Sequence, residues 1–182
     1  ALDDFLQQSD TSIQLALSNL QRASQLIKRF KRLSVDRSSE HVTHFHLLQN
    51  ASDIINAMGQ QLKNSPVELK LDIPKSIYLT SYPGIVSQVL QNLINNSLTH
   101  AFSPGQHGII TISANRQDDR VIISVKDNGN GIDPTVADTL FDPFVTSGRH
   151  KGNSGLGLHL IHQCVTQVLE GKIDVAVADG GG

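Results

Sequence analysis

The sequence predicts a mixed α/β domain preceded by one long amphipathic helix. Residues 1–34 contain neither Gly nor Pro and place Ile13, Leu17, Leu20, Ile27 and Phe30 at helical spacings. Short apolar runs at 67–73, 77–82, 109–114 and 121–125, bounded by Pro or polar turn residues, read as strands. Helical periodicity returns between and after them at 48–63, 84–102 and 156–169.

Taken in order, the first helix cannot bury its apolar stripe alone. It must pack on another helix from this chain, from a missing segment, or from a second protomer, and a homodimer through this helix is the arrangement expected of the intact protein. The polar run 34–40 breaks the pattern and reads as a linker, dividing the chain into 1–36 and 37–182. Residues 41–47 alternate as a short strand, and Ile54, Ile55, Met58 and Leu62 carry a helix over 48–63 that stops before Pro66. Pro83 suits the first turn of the helix 84–102. The runs 109–114 and 121–125 flank the polar turn 115–119 as a hairpin whose second strand reads as buried. After the polar loop 150–154 comes the helix 156–169, and 171–178 returns to strand.

The 182 residues leave room for one domain and an appendage. Fifteen Lys and Arg against 17 Asp and Glu give a net charge of −2, which offers no field for nucleic acid. Cys164 is the lone cysteine, which excludes an intramolecular disulfide and a thiolate zinc cluster; its apolar surroundings suit a buried small residue. No run approaches the roughly 20 apolar residues of a membrane span, and no basic region leads into an apolar one at the N-terminus. A soluble domain in a reducing cytoplasm is expected.

Three constellations carry chemistry. Asn92 and Asn96, four apart, share one helix face, opposite the apolar Val89, Leu90, Leu93, Ile94 and Leu98. A polar surface would account for them, but Asn is a mediocre helix former, and an amide oxygen is also a neutral, hard ligand for Mg²⁺. Asp127-Asn128-Gly129-Asn130-Gly131 closes a strand: the acid is either a turn former or an acceptor facing a pocket, able to take the six-position amine of adenine and to repel the guanine carbonyl. The two glycines would let backbone approach a flat base. Gly152-Asn153-Ser154-Gly155-Leu156-Gly157-Leu158 opens a helix, where exposed amides make a phosphate site or the glycines merely a flexible turn. It is no Walker loop, because no Lys-Ser or Lys-Thr follows.

With Phe141-Asp142-Pro143-Phe144 between the last two, the chain resembles the sensor histidine kinases: the order reproduces their N, first glycine, F and second glycine boxes. The likeness covers about residues 35–182 closely and the first helix more loosely. It implies a two-layer α/β sandwich with a mixed sheet packed on helices, the GHKL ATPase fold, after a dimerisation-type helix. It also implies ATP and Mg²⁺ as cofactors, with phosphoryl transfer to a His for relay to the receiver domain of a response regulator. By the resemblance Asn96 binds Mg²⁺, Asn92 lies beside the phosphates, Asp127 holds the adenine amine, and Gly129, Gly131 and Ile132 shape the base pocket. Gly155 and Gly157, with Gly152, Ser154, Leu156 and Leu158, line the phosphates. The lid spans 142–154 with Phe144, and Arg149 or Lys151 lies near the terminal phosphate. His100 faces nucleotide at the end of the N box.

Departures from the family pattern are Ser97 in place of the usual Ala, Asn153 at a usual glycine, and Gly148 where such lids often carry Lys. Related chaperone, gyrase and mismatch-repair ATPases usually carry Glu where this chain has Asn92. An amide cannot act as a base on water, which favours transfer to a protein nucleophile over hydrolysis. A non-catalytic nucleotide-binding or dimerisation module is the other alternative, and autophosphorylation of a chain extended N-terminally separates it from a kinase. None of the eight histidines is followed by an acid and then Pro, as a phosphoacceptor would be, so the acceptor is expected outside these residues. His41, His44 and His46 lack the carboxylate or Cys company of a metal site. A final strand after 171–178 is expected to be missing. The parent protein is expected to be cytoplasmic or held at the inner membrane by an anchor outside this chain.

Overall fold

The computed structural model describes residues 12–14, 17, 41–132, 134–137, 139–143, 145 and 155–176. It divides into two units, Ala1–Ser39 with Gly148–Ser154, and Glu40–Ser147 with Gly155–Gly182. In the first, residues 12–14 and 17 are helical and exposed, which agrees in kind with the helix expected there; the rest of that helix and the linker 34–40 lie outside the described residues.

The second unit runs β1 (Thr43–His46), α1 (Leu47–Ala57), α2 (Gly59–Lys63), β2 (Val67–Asp72), β3 (Tyr78–Ser81) and α3 (Pro83–His100). It continues with β4 (Gly108–Gln117), β5 (Arg120–Asp127), the single turn α4 (Pro134–Ala137) and α5 (Gly157–Gln163), which extends as a π-helical turn over Cys164–Val168. Strands β2, β4 and β5 form one mixed sheet in that order, β2 parallel to β4 and β4 antiparallel to β5. Strands β1 and β3 pair antiparallel in a separate ribbon.

Period-two alternation decides which face of the sheet is dry. In β4 it buries Gly108, Ile110, Ile112 and Ala114 and leaves the residues between them half-covered. Register sets Leu69, Ile110 and Asp127 in one row across the three strands, and Leu71, Ile112 and Val125 in the next. Leu47, Ala51 and Ile54 of α1 and Val86, Leu90 and Ile94 of α3 join Ile110, Ile112 and Ala114 in one core. This is the two-layer sandwich anticipated above. Each side chain buried as fully as Ile94 contributes roughly 1.5–3 kcal/mol. Cys164 is buried, as its sequence context indicated. Pro83 begins α3, and Ala101 closes it with its N–H on the Ser97 carbonyl.

Four elements differ from expectation. The helix 48–63 is two pieces, because the chain turns at Met58, whose side chain fills the core, and Gly59 carries little helical preference of its own. The hairpin turn is only Asp118-Asp119: Asn115, Arg116 and Gln117 pair with Ile122, Val121 and Arg120, so ladder hydrogen bonds outweigh their polar character. Asp118 takes φ of 51°, a left-handed conformation that Asp tolerates. Strand β5 is not buried throughout; Val121, Ile123 and Val125 face the core while Ile122, on the face turned away from the helices, is 45% exposed. Residues 171–176 form no strand: the chain leaves the helix through Glu170 at φ of 52° and joins no ladder, without which strand propensity has no backbone partner.

Candidate functional site

The core-facing row of β5 reads Val121, Ile123, Val125 and then Asp127. The same alternation that covers three apolar side chains therefore turns a carboxylate toward the helix layer. There α3 meets it. Ser97 Oγ donates to Asp127 Oδ2 at 2.8 Å, and the Gly129 N–H donates to Oδ1 at 3.1 Å. Both carboxylate oxygens thus have a fixed donor.

The loop after Asp127 is clamped from two further sides. The Ile109 N–H donates to Asn128 Oδ1 at 2.7 Å and the Asn128 N–H to the Ile109 carbonyl at 3.2 Å, so one Asn ties the loop to β4. The Asn130 N–H donates to the Ala101 carbonyl, 2.8 Å away, at the end of α3. Gly129 is required by this seat: a Cβ there would lie 2.1 Å from the Ala101 oxygen. The close approach expected of a base at Gly129 is made by the protein's own backbone, and the sequence alone does not distinguish the two. Gly131 differs, with φ of 74° and open space around its Cβ position. Ile132 follows it, half-buried. A Gly129→Ala change is expected to cost roughly 1–3 kcal/mol by displacing the loop from Ala101. Thermal unfolding measures it, and an unchanged midpoint would contradict the packing account.

Asn96 precedes Ser97 on α3 and is half-buried. Its Oδ1 lies 3.6 Å from where a Cβ on Gly157 would be, so the start of α5 passes directly over it. Its Nδ2 is buried and has no hydrogen-bond partner among the described residues. Such an orphan donor costs about 1–3 kcal/mol, and a native structure rarely keeps one without a use. Asn92 sits one turn earlier, half-buried, and His100 one turn later, exposed. Gly155 has φ of 65°, the left-handed value a side chain would resist, and Leu156, Gly157 and Leu158 follow it half-buried.

Beyond the glycines, His159 Nδ1 donates to the Phe141 carbonyl at 2.9 Å, and the Phe141 ring packs on His162 with centroids 5.3 Å apart. Helix α5 therefore holds the beginning of the Phe-Asp-Pro-Phe segment. Phe144, Arg149, Lys151, Gly152 and Ser154 lie outside the described residues, as does most of the expected lid. On the β1–β3 ribbon His44 stacks on Tyr78 at 5.1 Å, and His46 donates through Nε2 to the Lys75 carbonyl at 2.6 Å.

The structure thus brings Asn96, Asp127, Gly129 and Gly157 together around α3. Sequence reasoning noticed Ser97 only as a departure and passed over Asn128 and Ala101. The signal for Ser97 lay in the helix period, which sets it four residues after the apolar Leu93 and four before Ala101 on one side of α3. The Asn96 amide oxygen, beside the start of α5, is a neutral, hard donor that fits a divalent cation shared with phosphates. The unpartnered Asn96 donor and the bare Gly157 fit an anion beside it.

Residues 82–182 match the family model described as histidine kinase-, DNA gyrase B- and HSP90-like ATPase. The chain belongs to this family. It is 42% identical over 97 residues to the alginate biosynthesis sensor protein KinB of Pseudomonas aeruginosa, covering 53% of this chain and 16% of that protein. It is 31% identical over 172 residues to the sensor histidine kinase ZraS of Escherichia coli, covering 89% of this chain and 36% of ZraS. The chain thus spans well under half the length of these relatives. Among solved structures, the catalytic domain of the histidine kinase ThkA superposes with a TM-score of 0.60 at 21% identity, over 69% of this chain and 82% of that domain. The histidine kinase AdeS of Acinetobacter baumannii gives 0.59 at 24% identity, over 79% of this chain and 66% of AdeS. The fold is that of a histidine kinase catalytic domain of the GHKL type. Among the described residues no helix is long and apolar enough to cross a membrane.

Proposed function

We propose that this domain is the catalytic domain of a sensor histidine kinase, which binds Mg·ATP between α3, the Asp127 loop and the glycine segment before α5 and directs its terminal phosphoryl group to a histidine for relay to a response regulator. The observation that carries the reading is Asp127: a carboxylate ends an otherwise apolar core-facing row, and a side-chain hydroxyl and a backbone amide hold both its oxygens. Asp127 takes the adenine amine, with Gly131 and Ile132 beside the base. Asn96 Oδ1 holds Mg²⁺, Asn92 and His100 line the same side, and the amides of Gly155 and Gly157 meet the phosphates together with Leu156 and Leu158. Bound Mg²⁺ neutralises phosphate charge and fixes the phosphates in one geometry. Phe144, Arg149, Lys151, Gly152 and Ser154 belong to the lid in this reading.

Asn92 supports transfer over hydrolysis, because no carboxylate stands at that position to take a proton from water. The response regulator rests on family likeness; one structural neighbour is the kinase ThkA in complex with the response regulator protein TrrA. Residues 1–36 serve as the dimerisation helix and linker, and 37–182 as the catalytic domain.

Phosphoryl transfer needs an acceptor held in line, a geometric advantage of about 7–11 kcal/mol. None of the eight histidines has an acceptor's sequence context, and His159 is already committed to Phe141. Incubation with γ-labelled Mg·ATP is expected to leave no acid-labile label on residues 1–182, and to label a partner chain that supplies a kinase acceptor helix. Near-stoichiometric label on residues 1–182 themselves would place the acceptor among these histidines and overturn that part of the proposal.

A further inference from the structure

We infer that Ser97 is a positioning residue for base recognition, orienting Asp127 so that the site accepts purine nucleotides carrying an amine at the six position. The inference deepens the proposed role of Asp127 and rests on it. Hydroxyls within helices commonly donate to a carbonyl of the preceding turn, as Ser52 does to Leu48 and Thr166 to His162. Ser97 instead reaches off its helix to Asp127 Oδ2.

The consequence follows from proton counting. The χ2 torsion of a carboxylate is broad, so an Asp held by one oxygen can swing. With Gly129 on Oδ1 and Ser97 on Oδ2, the plane of the Asp127 carboxylate is set from both sides. A hydroxyl has one proton, and Ser97 spends it on Asp127; the lone pairs of both groups are then left to face a ligand. The pair offers acceptors, which suits an exocyclic amine with two hydrogens and opposes a six-position carbonyl. Ser97 is half-buried, which shields this arrangement from competing water.

The test compares calorimetric affinities for Mg·ATP and for purine riboside triphosphate, which lacks the six-position amine, in the unmodified chain and in Ser97→Ala, Ser97→Thr, Asp127→Asn and the Ser97→Ala/Asp127→Asn double variant. Ser97→Ala is expected to weaken ATP about three- to tenfold, the loss of one net hydrogen bond, and the purine analogue by under about twofold. Ser97→Thr, which keeps the hydroxyl, restores ATP affinity, and in the Asp127→Asn background Ser97→Ala adds nothing further. Equal losses for both nucleotides would make Ser97 a structural tie between α3 and β5 and overturn the inference. So would unchanged ATP affinity in Ser97→Ala alongside a clear loss in Asp127→Asn. If Asp127→Asn itself leaves ATP binding intact, the assignment of Asp127 fails, a result distinguishable from failure of Ser97 alone.

Discussion

Asp127→Asn is expected to weaken ATP binding by about 10- to 100-fold, the range for losing a hydrogen bond to an ionised acceptor. The variant is expected to fold. An Asn side chain can turn its Oδ1 to the Gly129 N–H, which can only donate, and its Nδ2 to Ser97 Oγ, whose hydroxyl can rotate to accept. Both loop anchors survive, so the thermal midpoint moves by only about 2–4 °C, the effect of roughly 1 kcal/mol in a chain of this size. What changes is the chemistry offered to the base: the position that accepted from an amine now also donates. Purine riboside triphosphate, with no amine to lose, is expected to bind both forms alike. Calorimetry decides it, and unchanged ATP affinity in a folded variant would remove Asp127 from the site.

The architecture was legible in the sequence wherever burial imposed a period. Val86, Leu90 and Ile94 recur at helical spacing because α3 lies on the sheet, and Ile110, Ile112 and Ala114 alternate because β4 is the central strand. Legibility failed where pairing overrode local preference. Asn115, Arg116 and Gln117 look like a turn, yet their partners on β5 hold them in the ladder. Ile122 and Ile123 read as a buried run, although one faces the core and the other faces out. At the site, residue types were readable and reasons were not always so. The glycine at 129 reads as a place of close approach, and the group that approaches is the Ala101 carbonyl, some 28 residues away in sequence. The Ser97 bond to Asp127 joins a helix to a strand end 30 residues later, and no local pattern encodes that pairing.

Asn96→Ala is expected to separate stability from function in opposite directions. In the ligand-free protein Asn96 Nδ2 is a buried donor without a partner among the described residues, and its removal deletes a group whose burial costs about 1–3 kcal/mol. Truncation also removes Oδ1 beside Gly157, but Ile94 and Leu90 hold α3 through its apolar face, which the change leaves alone. The thermal midpoint of the free protein is therefore expected to stay level or rise, as when a side chain kept for function is given up. Nucleotide binding is expected to go the other way. Without the amide oxygen the metal loses its protein ligand on α3, and ATP affinity is expected to become insensitive to Mg²⁺, falling to the metal-free value. Transfer to a supplied acceptor is expected to drop by at least about 100-fold, since removing one fixed charge-stabilising group commonly costs that much. Titrating ATP with and without Mg²⁺, beside thermal melts of the same samples, measures both arms. A destabilised variant that still gains affinity on adding Mg²⁺ would show that Asn96 is a structural residue and that the cation is held elsewhere.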